Sequence, residues 1–358
     1  MKKLRTAIIG QGRSGRDIHG KYFRSEENTL FDIVAVVEFD PERRERALKE
    51  YPGCQVYENY TELFDRDDID LVVNASYSEM HYPITRDLLV HGMNVVVEKP
   101  FARSRFECDE LITLAKKNAA ILAVFQQSFL APFYTYAKEL ISSGKLGEIQ
   151  QIEVKYNGFS RRWDWQTLQC KNAGGIYNTG PHPIGLALGF LDFDDNAKIE
   201  YSKLGCVNVA GDSDDYAKII LSAPGKPVID VEVNSCDMFK PTTLKICGSK
   251  GGYITNISTY TTKYIIPEEN TKRPLIVESL KKEDGTPAYC VDDLIIHEDS
   301  GDFIGTSFDY ACRRFYEMLY ANVTTGAPMD VTPEMAAKVI SVIEEVHARN
   351  PLPLKYIF

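Results

Sequence analysis

In "NAGGIYNTGPHPIGLALGF", residues 172–190, His182 follows Asn178 by four positions, where a glycine-rich turn gives way to an apolar periodic run. An imidazole has an unperturbed pKa near ~6.5, so it can take or give a proton close to neutrality. The Asn178 amide holds no exchangeable charge but can orient a histidine or a substrate hydroxyl. On these residues alone, a single histidine at a helix start is more often a capping and packing residue. "VVVEKPF" puts Glu98, Lys99 and Pro100 at the end of a buried strand. A lysine beside an oxidised nicotinamide has its protonated form disfavoured and exchanges protons nearer neutral pH. An ion pair between Lys99 and Glu98 at the surface is an equal alternative. "GQGRSG" has Gly10, Gly12 and Gly15 around Arg13 and Ser14. After a strand and opening a helix, that spacing lets the backbone approach a dinucleotide pyrophosphate at the helix N-terminus. Glu38 ends the next strand, where a carboxylate bonds ribose hydroxyls and repels a 2'-phosphate, so NAD is expected over NADP. Arg43 and Arg44 nearby could still accept a phosphate.

Elements of the right kind surround these residues. Strands at 5–10, 32–40, 70–76, 94–100 and 120–126 alternate with amphipathic helices at 41–51, 79–92 and 105–118. Asp40 is the expected N-cap of the first of these helices and Pro41 its first residue. Strand and helix in alternation imply a parallel sheet covered on both faces. Beyond residue 126 a helix at 132–144 leads to 148–158, where Ile152, Val154 and Tyr156 alternate with Glu153 and Lys155. That is the period of a strand with one buried face, typical of antiparallel sheets. Further strands are read at 216–223, 227–236, 242–249 and 251–257, and late helices at 306–326 and 332–350. The fold class is therefore α/β, a Rossmann domain over 1–126 followed by an α+β domain over 127–358 with helices to one side of its sheet.

Composition narrows the partners. A chain of 358 residues exceeds the usual reach of one core. A net charge of −10 gives no electrostatic reason to bind nucleic acid. No run approaches the ~18 apolar residues of a membrane span, and the apolar start is too short for a signal peptide. A protein in the cytoplasm with no membrane partner is expected. The eight cysteines have no paired spacing, which reads as reduced and mostly buried thiols. No His, Cys, Asp and Glu cluster has ligand spacing, so no metal is expected.

Gly10, Gly12 and Gly15, "EKP" at 98–100, "AKELISSGKLGEI" at 137–149 and the "GG…G.H" pattern from Gly174 to His182 together resemble the Gfo/Idh/MocA oxidoreductases over essentially the whole chain. The resemblance implies a C-terminal domain with a large open, mainly antiparallel sheet, NAD(P) in the cleft, and oxidation or reduction of a secondary alcohol on a sugar or cyclitol. It implies homo-oligomers, dimers or tetramers, built through the open sheet face. Lys99 matches the family lysine at the reacting oxygen, and His182 the histidine that serves as general acid and base. His81 resembles the family histidine on the nicotinamide side of the cleft, and Ala75, Ser76 and His81 are expected to line the cofactor, with packing as the alternative. Asn178 and Gly185 stand where aspartates are common, which leaves proton transfer to His182 and argues against simple inositol-dehydrogenase identity. Gln126 and Gln127 are placed to bond substrate hydroxyls. Ser128 stands where an arginine is frequent, which disfavours a phosphorylated or acidic substrate. Trp163, Trp165 and Tyr156 complete the expected substrate side, the tryptophans as faces for a sugar or aglycone or as packing beneath a lid.

The resulting expectation is an NAD-dependent oxidoreductase acting on a neutral sugar, glycoside or cyclitol, with sugar C3 as the specific carbon. Two alternatives remain open: a redox-neutral enzyme that retains its NAD while acting on glycosides, and a non-enzymatic protein that senses NAD or sugar.

Overall fold

Six short apolar runs pair in parallel in the order β3-β2-β1-β4-β5-β6: β1 (Leu4–Ile9), β2 (Phe31–Val37), β3 (Gln55–Tyr57), β4 (Leu71–Asn74), β5 (Val95–Val97) and β6 (Leu122–Val124). This is a computed structural model describing residues 2–239, 242–304 and 307–357. Its crossovers are α1 (Gly20–Phe23), entered through a π-turn at Arg13–His19, then α2 (Pro41–Glu50), α3 (His81–Val90) and α4 (Arg105–Lys117). The Asp40 side chain accepts the N–H groups of Glu42 and Arg43 and Pro41 opens α2, as the sequence requires. Alternation across each strand builds two cores. Ala7, Ile9, Val72, Val95 and Val97 share one with Leu88 of α3 and Leu111 of α4. Ile8, Leu71, Val73 and Val96 face the other. β3 was not anticipated, because a three-residue edge strand is too short to show a period.

The second half contains α5 (Pro132–Ser142), β7 (Ile149–Asn157), α6 (Gly175–Asn178), α7 (Pro181–Phe190), β8 (Lys198–Gly205), β9 (Tyr216–Ser222), β10 (Val228–Asn234), β11 (Leu244–Gly248), β12 (Gly251–Thr255), β13 (Thr259–Ile265) and β14 (Ile296–Asp302). It closes with α8 (Ser307–Thr325) and α9 (Pro333–Arg349). Thr306, the expected start of α8, lies outside the described residues. The eight strands run β14-β13-β12-β11-β7-β10-β9-β8, antiparallel throughout except for the parallel pair β7–β10. Ile152, Val154, Ile219, Val231 and Ile246 point into the core shared with α7 and α9. The opposite face carries ion pairs, Lys155 with Glu153 at 2.6 Å and Lys218 with Asp230 at 2.6 Å.

The late helices divide. α9 packs between the halves, on α4 and β6 of the first and on α7 and β8 of the second, whereas α8 returns to the first sheet and inserts Cys312, Phe315, Tyr316 and Leu319 among Ile8, Val36 and Val73. Those four positions form one helical stripe, and the first sheet has an apolar face that the short α1 cannot cover by itself.

Candidate active site

The turn after β1 is shaped for close approach. A Cβ on Gly15 would lie 1.9 Å from the Gly10 carbonyl oxygen, and one on Gly10, whose φ is +91°, would lie 2.5 Å from the Ala75 oxygen. At Gly12 the nearest atom would be Arg43 Nη1 at 4.0 Å, so that side is open. Gly12 precedes the Arg13–His19 turn with no side-chain cap, which leaves its first N–H groups available to an anion.

A cleft of about 600 Å³ opens there. Of the residues expected at the cofactor, Gly10, Gly12, Arg13, Ser14, Glu38, Ala75, Ser76, His81, Glu98 and Lys99 line it, while Gly15 lies behind the turn. Phe39 and Tyr77 also line the cleft, with ring centroids 6.3 Å apart. Both were missed, although an aromatic directly after Glu38 was visible in the sequence. Glu38 is 3% exposed; Oε2 accepts the Gln11 N–H at 2.7 Å and Oε1 the Asp40 N–H at 3.1 Å. Arg43 Nη1 stands 3.5 Å from Glu38 Oε2.

Lys99 does not ion-pair with the Glu98 side chain at the surface. Its Nζ donates to the Asn178 carbonyl at 2.7 Å, and Glu98 turns inward, accepting the Lys99 N–H at 2.9 Å. Glu98 Oε1 meets His19 Nε2 at 3.1 Å, and His19 Nδ1 meets the Tyr316 hydroxyl at 2.6 Å. His19 had suggested nothing in the sequence, because its partners come from β5 and α8. Burial pushes the Glu98 pKa up, but the His19 hydrogen bond and charge outweigh it and the carboxyl sits at about 2. Burial lowers the Lys99 pKa, opposed by Glu98 and reinforced by Arg13 and Arg162.

A second cavity of about 250 Å³ adjoins the cleft, sharing Arg162, Gln166 and Asn178 with it. Tyr156, Asn157, Asp214 and Asn234 contribute to its walls. Several expectations are corrected. Asn178 does not orient His182; its amide donates to Gln166 Oε1 at 3.2 Å, because it ends α6 and faces the cavities. Gln126 and Gln127 are buried and line neither cavity; Gln126 Nε2 donates to the Pro181 carbonyl. Trp163 is 83% exposed and does not line the cleft, while Trp165 lines it edge-on to Tyr77. Three of the eight cysteines are buried, so the thiols are less hidden than expected, and all eight are free.

His182 lines neither cavity. It lies beside Ser128 Oγ at 3.3 Å, with its ring stacked on Tyr156 at 6.2 Å. Burial, then the Lys99 charge, pushes its pKa down to about 3, so the ordinary value expected from sequence is not kept. His81 bonds the Pro100 carbonyl at 2.7 Å and bracing, not only lining, is its part. Among the described residues there is no group of three or more His, Cys, Asp or Glu that could hold a metal, and no helix is long and apolar enough to cross a membrane.

These histidines make the fold acid-sensitive. Burial lowers the pKa of His81, of His182 to about 3 and of His347 to about 4, while in the unfolded chain each returns to the ordinary imidazole value of ~6.5. Below that value the unfolded state takes up protons first, so stability is fully present above pH ~6.5 and is lost as pH falls toward the folded values. Asp214, raised to about 7, opposes them with a single proton. The melting temperature should therefore fall steadily between pH ~6.5 and ~5, and His347→Gln should flatten the slope; a Tm independent of pH there would contradict it.

Two family models account for most of the chain: the oxidoreductase family, NAD-binding Rossmann fold, over residues 4–126, and the Gfo/Idh/MocA C-terminal domain over residues 134–254. The chain belongs to the Gfo/Idh/MocA family. An oxidoreductase of Schizosaccharomyces pombe is 31% identical over 52% of this chain and 52% of its own length. A 2,7-anhydro-N-acetylneuraminate hydratase of Mediterraneibacter gnavus is 29% identical over 50% of this chain and 47% of its own. A scyllo-inositol 2-dehydrogenase (NADP(+)) of Bacillus subtilis is 26% identical over 52% and 51%. The alignments with these relatives thus span about half of each. Over the whole fold, the solved structure of the Bacillus subtilis oxidoreductase yvaA superposes with a TM-score of 0.79 at 18% identity, covering 97% of this chain and 95% of that one.

Proposed function

We propose that this member of the family oxidises or reduces a secondary alcohol of a neutral sugar, glycoside or cyclitol with NAD, sugar C3 being the specific guess. The observation that carries the reading is the meeting of the dinucleotide-shaped cleft and the polar second cavity at Asn178, whose carbonyl holds Lys99 Nζ. Nicotinamide, when bound, supplies the hydride acceptor at its C4. The chain's residues do the rest. The open turn at Gly10 and Gly12 with Arg13 and Ser14 holds the pyrophosphate, and Phe39 and Tyr77 offer ring faces to the adenine. Lys99 exchanges the Asn178 carbonyl for the reacting oxygen and stabilises its developing negative charge. His182, uncharged at neutral pH, takes the hydroxyl proton in this reading, which requires it to move from its place beside Ser128 and Tyr156 outside both cavities. Tyr156, Asn178 and Gln166 bound the hydroxyl-bearing ring. The protein is further read as a cytoplasmic homo-oligomer whose second copy covers the ionic outer face of the large sheet.

The test is an absorbance scan near 340 nm of dialysed protein with a panel of neutral sugars, glycosides and inositols, with and without added NAD. Turnover only with added NAD supports the dehydrogenase, and silence under both conditions sinks it. A band without added cofactor selects the redox-neutral alternative, which the hydratase relative favours.

Cofactor preference follows from Glu38. Glu38→Ser removes the carboxylate and frees the Gln11 and Asp40 N–H groups beside Arg43, three donors suited to a 2'-phosphate. The NADP-to-NAD ratio of kcat/KM should rise by at least about tenfold, the value of one charge-assisted hydrogen bond. An unchanged ratio would remove Glu38 from the ribose site.

A further inference from the structure

Asp214 lies in the loop between β8 and β9, 1% exposed, and it reaches the site from beneath. Its Oδ2 accepts the Ile176 N–H at 2.7 Å, and its carbonyl accepts the Gly175 N–H at 2.7 Å. Those are the first N–H groups of α6. The N-cap of that helix is Gly174, which has no side chain to cap with, so a residue of another element does it. The backbone is moulded around the carboxyl: Gly174 has φ +121°, and a Cβ there would lie 2.3 Å from Asp214 Oδ1. At its other end α6 closes on Asn178, whose carbonyl holds Lys99 Nζ at 2.7 Å. A four-residue helix is only about 6 Å long, so a shift at its start is felt at its end.

The neighbouring acids behave differently. Asp215 accepts the N–H groups of Val207, Asn208 and Val209, and Asp212 those of Gln169, Lys355 and Tyr356. They hold loops; Asp214 alone of the three holds α6, while its Oδ1 has no partner. The titratable groups that interact with it are Asp215 on its own loop, Tyr177 on α6 and Cys206 beyond β8. Burial pushes its pKa up to about 7 against the Ile176 hydrogen bond. In its neutral form it has nearly the shape of an asparagine and, like it, keeps an acceptor oxygen for the Ile176 N–H.

We propose that Asp214 is a positioning residue of this site: it caps α6 from outside and thereby fixes the Asn178 carbonyl that holds the Lys99 side chain. The inference rests on the dehydrogenase reading only in taking Lys99 as the residue at the reacting oxygen.

The experiment is trace labelling with acetic anhydride, read at Lys99 by peptide mass spectrometry and normalised to the exposed Lys198, with no cofactor or sugar present. Lys99 of the native chain should react slowly, because its half-buried Nζ is bonded to the Asn178 carbonyl. Asp214→Ala should raise Lys99 labelling at least about threefold. Asp214→Asn, which keeps an acceptor for the Ile176 N–H, should restore the native rate. Asp212→Asn should lower the melting temperature and leave Lys99 labelling unchanged, which separates positioning from general destabilisation. Asp214→Ser, too short to reach Ile176, gives the same reading as the alanine if the alanine chain does not fold. Native labelling in the alanine and serine variants, or an asparagine variant as fast as the alanine, overturns the proposal. Failure of the dehydrogenase reading would appear in the sugar panel and leave these rates untouched.

Discussion

Lys99→Met should lower kcat for sugar oxidation by about 10³-fold, with NADH affinity held within about threefold, because the charge that stabilises the developing oxyanion would be lost. The substitution is selective. The backbone of Lys99 is anchored through its N–H to Glu98, and Glu98 is held by the buried His19 and, through it, Tyr316. Methionine fills the volume of the aliphatic stem and leaves that chain of bonds intact. Only the donor that now reaches the Asn178 carbonyl disappears. A transition-state interaction lowers kcat and kcat/KM together, whereas a group used only for binding raises KM. Steady-state kinetics on the first sugar found active, with NADH fluorescence titration beside them, decide it. A loss under about tenfold removes Lys99 from the chemistry.

What could be read from the sequence and what could not follow the range of each signal. The cofactor turn was legible because its constraint is local. Gly15 abuts the Gly10 backbone within the same β-turn-helix unit, so that spacing is written in fifteen residues, although Gly10 itself is pressed against Ala75 after β4. Helix α2 was legible for the same reason, through Asp40 and Pro41. Signals that depend on distant chain segments were not. Gln126 and Gln127 follow a strand that ends at the cleft, yet α7 packs over them, and one of them is used to bond Pro181. Trp163 looked like a sugar platform by residue type, but the loop turns it outward while Trp165, two residues on, enters the cleft.

The buried acids and histidines show the limit most clearly. His19 is a lone histidine in the sequence; its meaning comes from Glu98, 79 positions on, and Tyr316, 297 positions on. Asp214 sits in an acidic run that any charge pattern would assign to a solvated turn. Its burial is set by glycines 174 and 175, whose missing side chains make room for the carboxyl. Glycine spacing read for one purpose, the "GG" of the family pattern, thus serves another. The α8 helix is a third case: its apolar stripe is evident, but which sheet receives it depends on which face the other helices leave open.

His182→Gln should lower kcat for oxidation by about 10²-fold or more while leaving KM within a few-fold, because glutamine can bond Ser128 and pack on Tyr156 but cannot take a proton. The pH profile adds an independent sign. A base works only in its unprotonated form, and burial together with the Lys99 charge holds the imidazole at about 3. Its activity therefore persists as pH falls and is lost only near that folded value, so kcat/KM should show no histidine limb between about pH 5 and 8. An unperturbed imidazole would give a limb near ~6.5. If Lys99 takes the proton instead, His182→Gln costs less than about tenfold, and an acid limb appears that vanishes in Lys99→Met. The two residues are electrostatically linked, since the Lys99 charge adds to burial in lowering the His182 pKa. Only one of them can carry the proton at a given step, and the glutamine variant measured across pH tells which.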